Sequence, residues 1–268
     1  MSNIKGEAEK LDWAGFLLFA LGLVGITLGL DLLGESQHSA ITTYSVLVVG
    51  VLLLVAYSSY AKNNEDSILP LSLFRTRTFR LGIIANIFIR LSASGVPFLL
   101  PLMFQLSFGY SAEMSGWLLA PIALISVILK ILIGRILNRW GYKTTLISSA
   151  LLMAGSVISM AWLDKQSSLT WIICNLMWYG ACMSIIFTSI NTLTVGDLSK
   201  QQAGTGSTVL SIVQQVGIGF GIAISSIILN LYRHFFSASD GLQLAFSYTF
   251  LTSSLFTIAL VWSLMKLH

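Results

Sequence analysis

Arg90 is the residue whose position most demands a physical explanation. It lies about nine residues, or about 14 Å at a helical rise, inside the apolar run from Leu81 to Leu106, beyond comfortable snorkelling reach of either interface. A guanidinium at that depth should face the interior of a helix bundle. Asn86 precedes it by four positions and Ser94 follows it by four, so all three share one helix face. Pro97 and Pro101 come next, each removing a backbone donor. Such a polar stripe, ending in a distorted helix, resembles a cavity wall; the alternative is an arginine held by backbone carbonyls or a neighbouring helix for packing alone.

A second stripe places Ser207, Ser211, Gln214, Ile218 and Gly221 on one face, with Gln215 beside them. Gln214, Gln215, Asn191 and Gln105 can line a polar path or tie helices together. Trp178 and Tyr179 fall at mid-depth of an apolar run, where an aromatic face can meet a hydrophobic or cationic ligand or fill the core. Lys130 reads as a cation snorkelling to the nearby cytoplasmic end of its run, and Asp31 as exposed to water at an outer end. Gly217 with Gly221, and Gly25 with Gly29, have the spacing that lets two helices approach closely.

None of this is catalytic chemistry. H-E-x-x-H, G-x-S-x-G and G-x-x-x-x-G-K-[ST] are all missing from the sequence. His38, His234 and His268 have no metal-ligand spacing. Cys174 and Cys182, eight residues apart in one run, read as free buried thiols. The residues therefore point to binding and passage, with no enzyme activity, cofactor or metal.

The elements that position these side chains must cross a membrane. Of 268 residues, 55% are hydrophobic and 10% charged, against roughly a quarter charged in soluble domains, and a mean hydropathy of +0.83 requires apolar segments along the whole length. We read an all-α polytopic membrane protein with eight transmembrane helices, approximately Trp13 to Leu33, Ile41 to Tyr60, Leu81 to Leu106, Gly116 to Ile133, Thr144 to Leu163, Thr170 to Leu193, Val209 to Tyr232 and Leu242 to Met265. The runs are continuously apolar, whereas barrel strands would alternate. The first is retained rather than cleaved, because its flank carries Glu7 and Glu9 and no small-residue cleavage site follows.

The basic residues orient the chain. Lys5, Lys10, Lys62, Arg75, Arg77, Arg80, Arg135, Arg139, Lys143, Lys200 and Lys266 fall on one side of the eight-span model, and only Lys165 and Arg233 on the other. Positive charge stays inside, which places both termini in the cytoplasm. Trp13, Trp117, Trp162, Trp171 and Trp262 fall near span ends, as interfacial indoles should. The net charge of +4 thus bears on topology and not on nucleic acid. Three segments follow: 1–60 with two spans, a cytoplasmic linker over 61–80, and a six-helix domain over 81–268. The linker opens with Lys62, Asn63, Asn64, Glu65 and Asp66, passes Pro70, and ends in an apolar, arginine-rich stretch that suits the membrane surface or serves only as a retention signal.

The stretch Gly134-Arg-Ile-Leu-Asn-Arg-Trp-Gly-Tyr-Lys143 resembles the G-x-L-x-D-R-x-G-R/K loop of the major facilitator superfamily, in the weaker form of the C-terminal half, with Asn138 in place of the acid. Leu11 to Gly22, Leu73-Phe-Arg-Thr-Arg-Thr-Phe79 and Ser189-Ile-Asn-Thr-Leu-Thr194 are similar to the fourteen-span drug:proton antiporter branch of the EmrB/QacA type, and within it to MdtD-like multidrug transporters. The resemblance covers the chain from the family's seventh span onward. It implies two extra central spans followed by a C-terminal domain of two inverted three-helix repeats. It also implies proton-coupled export of drugs or small amphipathic compounds across the inner membrane. Arg90 and Gln215 would face the central cavity, and Gly134, Arg139, Gly141 and Lys143 would belong to a cytoplasmic gating turn. The family's first six spans would lie upstream of Met1, with its stronger loop motif, its G-x-x-x-G-P motif and its proton-coupling carboxylate. The implied partners are the lipid bilayer, a small-molecule substrate and an N-terminal half-transporter. The alternative is a membrane fragment or interaction module that does not transport; a homodimeric carrier has less support because only one kind of half is present.

Overall fold

The computed structural model describes residues 12–34, 40–62, 71–236 and 241–265, with side chains in the last segment described as far as Ile258. Lys5, Lys10, Glu7, Glu9, His38, Asn63 to Pro70, Lys266 and His268 lie outside the described residues, as do the side chains of Asp31, Lys62 and Trp262. Nine α-helices make up the described architecture, without a strand among those residues: α1 (Trp13–Gly34), α2 (Ala40–Lys62), α3 (Arg77–Ala93), α4 (Gly95–Leu106), α5 (Ala112–Trp140), α6 (Tyr142–Met160), α7 (Leu169–Gly196), α8 (Lys200–Phe235) and α9 (Gly241–Met265). A short 3-10 turn, Leu71–Arg75, precedes α3.

By length and composition, seven stretches can cross a bilayer: α1, α2, α3 with α4 as one stretch from Arg77 to Leu106, α5, α6, α7 and α8. The eighth expected span coincides with α9, a helix of 25 residues that is not among those seven. Helix α8 begins well before the expected Val209. Ser199 accepts from the Gln202 amide at 3.3 Å and donates to the Gln202 side chain at 3.1 Å, a Ser-x-x-Gln capping arrangement that starts the helix in polar sequence. Ser111 and Ser168 cap α5 and α7 in the same way, accepting from Met114 and Trp171 amides.

Helices α1 and α2 form a hairpin whose axes meet at glycine. A methyl group on Gly25 would lie 2.9 Å from the Gly50 Cα, so the two backbones touch without intervening side chains. This hairpin rests on α8. The main core joins α3 and α4 to α6, α7, α8 and α9 around Phe104, Phe108, Leu176, Tyr179, Phe246 and Phe250, all buried. Outward faces remain apolar, with Leu124, Val127, Leu152 and Leu255 all exposed, as expected of surfaces that meet lipid rather than water.

The single span expected over Leu81 to Leu106 is divided at Ser94. The break precedes Pro97 because proline fits the first turn of a new helix, where its missing donor costs least. Pro97 still denies an amide to the carbonyl four residues back, that of Ala93. Tyr179 of α7 fills this vacancy: its hydroxyl donates to the Ala93 carbonyl at 2.6 Å, and both residues are wholly buried.

Candidate functional site

Arg90 is on the buried face of α3, and glycines on α8 make room for it. A methyl group on Gly217 would come within 2.7 Å of the Arg90 Cβ, and one on Gly221 within 2.7 Å of the Arg90 carbonyl. The expected close-packing pair therefore packs α8 against the arginine's own turn. With its stem seated in that slot, the guanidinium reaches α8 and α7. Arg90 Nη2 donates to Gln214 Oε1 at 3.0 Å, and Gln214 Nε2 donates to Asn191 Oδ1 at 2.9 Å. The guanidinium carbon lies 3.8 Å from the centroid of the Phe187 ring, so the cation rests on an aromatic face. Hydrogen bonds thus link three helices through one charged and two neutral side chains.

Asn86, one turn before Arg90, donates to the Thr194 hydroxyl at 3.3 Å and to the Gly82 carbonyl at 3.2 Å, tying α3 to α7. Ser94, one turn after, is buried, and among the described residues neither its hydroxyl nor the buried Arg90 Nε has a partner. Both residues line a pocket of about 510 Å³ between α3 and α4, α7 and α8, whose remaining walls include Pro97, Pro101, Met183 and Ile222. The expected stripe of Asn86, Arg90 and Ser94 is present on one face, with Arg90 and Ser94 at the pocket and Asn86 in the α3–α7 contact.

Not every expected candidate converges there. Trp178 stands nine residues from Phe187, which at about 100° per residue puts it on the opposite side of α7. It packs near Gly155 of α6 and is 38% exposed. Gln215 is exposed, about 100° around α8 from Gln214, and does not line the pocket. Gln105 and Lys130 are exposed too. Phe187 escaped the sequence reading altogether, although its place one turn before Asn191 on α7 was the available signal.

The expected gating loop takes a different form. Gly134 and Arg139 lie inside α5, and the turn contracts to Gly141, whose φ of 75° is the left-handed conformation that favours glycine. The Gly141 amide donates to the Leu137 carbonyl at 2.9 Å, and the Thr145 hydroxyl donates to the Gly141 carbonyl at 2.7 Å. Polar residues ended the expected span at Ile133, but backbone hydrogen bonding carries the helix on to Trp140. Space around Gly134 and Gly141 is open to 4 Å, so neither glycine serves close helix approach among the described residues. Arg139 and Lys143 are exposed.

Fold and site together define a multi-pass, all-helical membrane protein with a buried cation beside an intramembrane pocket. The model of the Major Facilitator Superfamily matches residues 14–222, and the chain belongs to that superfamily, a family of transport proteins rather than enzymes. It is 92% identical over 268 residues to the "Probable transport protein HsrA" of Haemophilus influenzae, covering all of this chain and 58% of that protein. It is 32% identical over 260 residues to the "Putative multidrug resistance protein MdtD" of Escherichia coli, covering 95% and 55% respectively. The chain thus spans a little over half the length of these curated relatives. The crystal structure of the nucleoside transporter NupG superposes with a TM-score of 0.59 over 94% of this chain and 63% of that one, at 13% identity, a likeness of fold.

Proposed function

We propose that this chain forms the C-terminal side of a major facilitator transporter of the drug:proton antiporter branch, exporting small amphipathic compounds across the inner membrane with an N-terminal six-span half. In this reading α9 is the eighth span, both termini are cytoplasmic, α1 and α2 are the extra central pair, and the helices from α3 onward are the six-span domain. The observation that carries it is Arg90: a cation midway along the stretch Arg77–Leu106, held by Gln214 and Phe187 from other helices and lining a pocket. A charge so costly to bury is retained in membrane helices for solute or proton pathways. The likeness to relatives named for transport and multidrug resistance supports the export reading, and their greater length supports a second half. Within the turn after α5, Gly141, Arg139 and Lys143 form the part that moves at the cytoplasmic face.

The test is efflux of a fluorescent amphipathic dye from cells that lack their own pumps. Co-expression of this chain with a six-span N-terminal half should lower dye accumulation, and Arg90→Ala, present in the membrane at equal amount, should abolish the effect. Full efflux by the Arg90→Ala chain removes Arg90 from the mechanism. A stable pair of halves that never alters accumulation favours the non-transporting module instead.

A further inference from the structure

The pocket beside Arg90 has a chemical bias that export alone does not specify. Helices α3, α4, α7 and α8, which supply its walls, contain no aspartate or glutamate along their entire length. The guanidinium has neutral company instead: the Gln214 amide oxygen at Nη2 and the Phe187 ring face. Arg90 is 8% exposed and Ser94 6%, and Arg90 Nε and the Ser94 hydroxyl are both buried without partners among the described residues. These donors stand one helical turn apart at the same pocket. A buried cation with no carboxylate beside it among the described residues attracts an anion strongly, because few waters or dipoles compete for it. A cationic guest meets the reverse situation: it is repelled by the guanidinium, which already occupies the Phe187 face.

Other walls of the pocket set the rest of the ligand. Pro97, Pro101, Met183 and Ile222 are apolar, and about 510 Å³ lies within the usual range for small-molecule sites. We propose that this pocket binds an amphipathic anion, with its carboxylate, sulfonate or phosphate head against Arg90 and Ser94 and its apolar body along Pro97, Pro101, Met183 and Ile222. The inference rests on the reading of Arg90 as a cavity residue and names the substrate class of that cavity. Such an anion can come from water or from the membrane itself, as a fatty acid or an acidic phospholipid.

Calorimetric titration of the full chain in phosphatidylcholine nanodiscs tests this without requiring transport. Octanesulfonate is the anionic probe, and octyltrimethylammonium is its cationic counterpart. Octanesulfonate should bind saturably and at least about tenfold more tightly than the cation, a preference of the size that one charge-assisted hydrogen bond provides. Arg90→Gln should weaken sulfonate binding about tenfold or more. Ser94→Ala, a milder change that keeps the arginine, should weaken it about threefold and serves if the Arg90 variant does not fold. Equal or tighter binding of the cation overturns the proposal, as does unchanged sulfonate affinity in a folded Arg90→Gln chain or, where that chain does not fold, in Ser94→Ala. Oleate or phosphatidylglycerol in the nanodisc distinguishes the sources: displacement of the sulfonate assigns the pocket to a membrane-borne anion, and continued binding assigns it to one from water. Anion binding without efflux would refute the transport reading alone, whereas efflux with a cation-selective pocket would refute this inference alone.

Discussion

Replacing Tyr179 by phenylalanine removes one oxygen from the bundle and isolates the question of what holds the broken third span together. The Tyr179 hydroxyl meets the Ala93 carbonyl at 2.6 Å, and no water reaches either residue, since both are wholly buried. An unsatisfied buried carbonyl costs roughly 1–3 kcal/mol, while hydrogen bonds between membrane helices average about 0.6 and reach about 1.7 kcal/mol. Pro97 cannot donate to that carbonyl, which places this bond toward the top of the membrane range, and we expect Tyr179→Phe to cost about 1.5 kcal/mol. Titration of the chain from mild micelles into SDS, followed by circular dichroism, measures the loss. Pro97→Ala restores an amide that α4 can aim at Ala93, with Ser94 already in helical conformation at φ −74° and ψ −19°. In that background Tyr179→Phe should cost under about 0.5 kcal/mol, giving a coupling near 1 kcal/mol in the double-mutant cycle. An equal loss in both backgrounds would refute the argument, because the tyrosine would then be acting by something other than the carbonyl that proline frees.

Glycine positions offer a contrast of opposite sign. Gly217→Ala drives a methyl group to 2.7 Å from the Arg90 Cβ and should destabilise by about 1–3 kcal/mol; Gly134→Ala, in open space within α5, should be neutral or stabilising by up to about 1 kcal/mol in the same unfolding assay. Gln214→Leu strips partners from both Arg90 and Asn191 and should cost about 1–3 kcal/mol, whereas exposed Gln215→Leu should stay within about 0.5 kcal/mol. Similar losses for the two glutamines would discard the network as a structural unit. Cysteines placed at Gln166 and Lys143 report orientation: an impermeant maleimide should label the first in intact cells and the second only after permeabilisation.

Hydropathy made most of the architecture legible because the membrane imposes one length scale on every span. The ends of α1 and α2 fall within two residues of the expectation, since hydrocarbon stops near where those helices stop, and α9 occupies the last apolar run to within one residue. It misplaced α5 and α8, which continue into polar sequence, because backbone hydrogen bonds and serine caps persist where lipid does not. At the site, residue type was informative and facing was less so. A mid-membrane arginine announces itself, and the Gly217–Gly221 spacing announced the slot beside it. Helical spacing put Gln214 on the stripe with Gly221 while the family resemblance nominated Gln215 for the cavity, and only the packed neighbour decides between residues about 100° apart. Tyr179 shows a signal that was present but unused: counting back four from Pro97 identifies Ala93 as a carbonyl in need of a donor, and a tyrosine at mid-depth is a natural candidate.

Helix α8, with 36 residues, extends about 54 Å, well beyond the roughly 30 Å of a hydrocarbon core. Gln214 lies about 21 Å along it from Lys200, at the point where Gly217 and Gly221 hold the helix against α3. The helix is therefore a lever with its fulcrum at the arginine. A 10° tilt about that contact displaces the Lys200 end by roughly 4 Å, so a change of Ångström scale around Arg90 becomes a far larger one at the membrane surface. Whatever occupies the pocket is positioned to be felt at the Lys200 end of α8 through a single rigid rod.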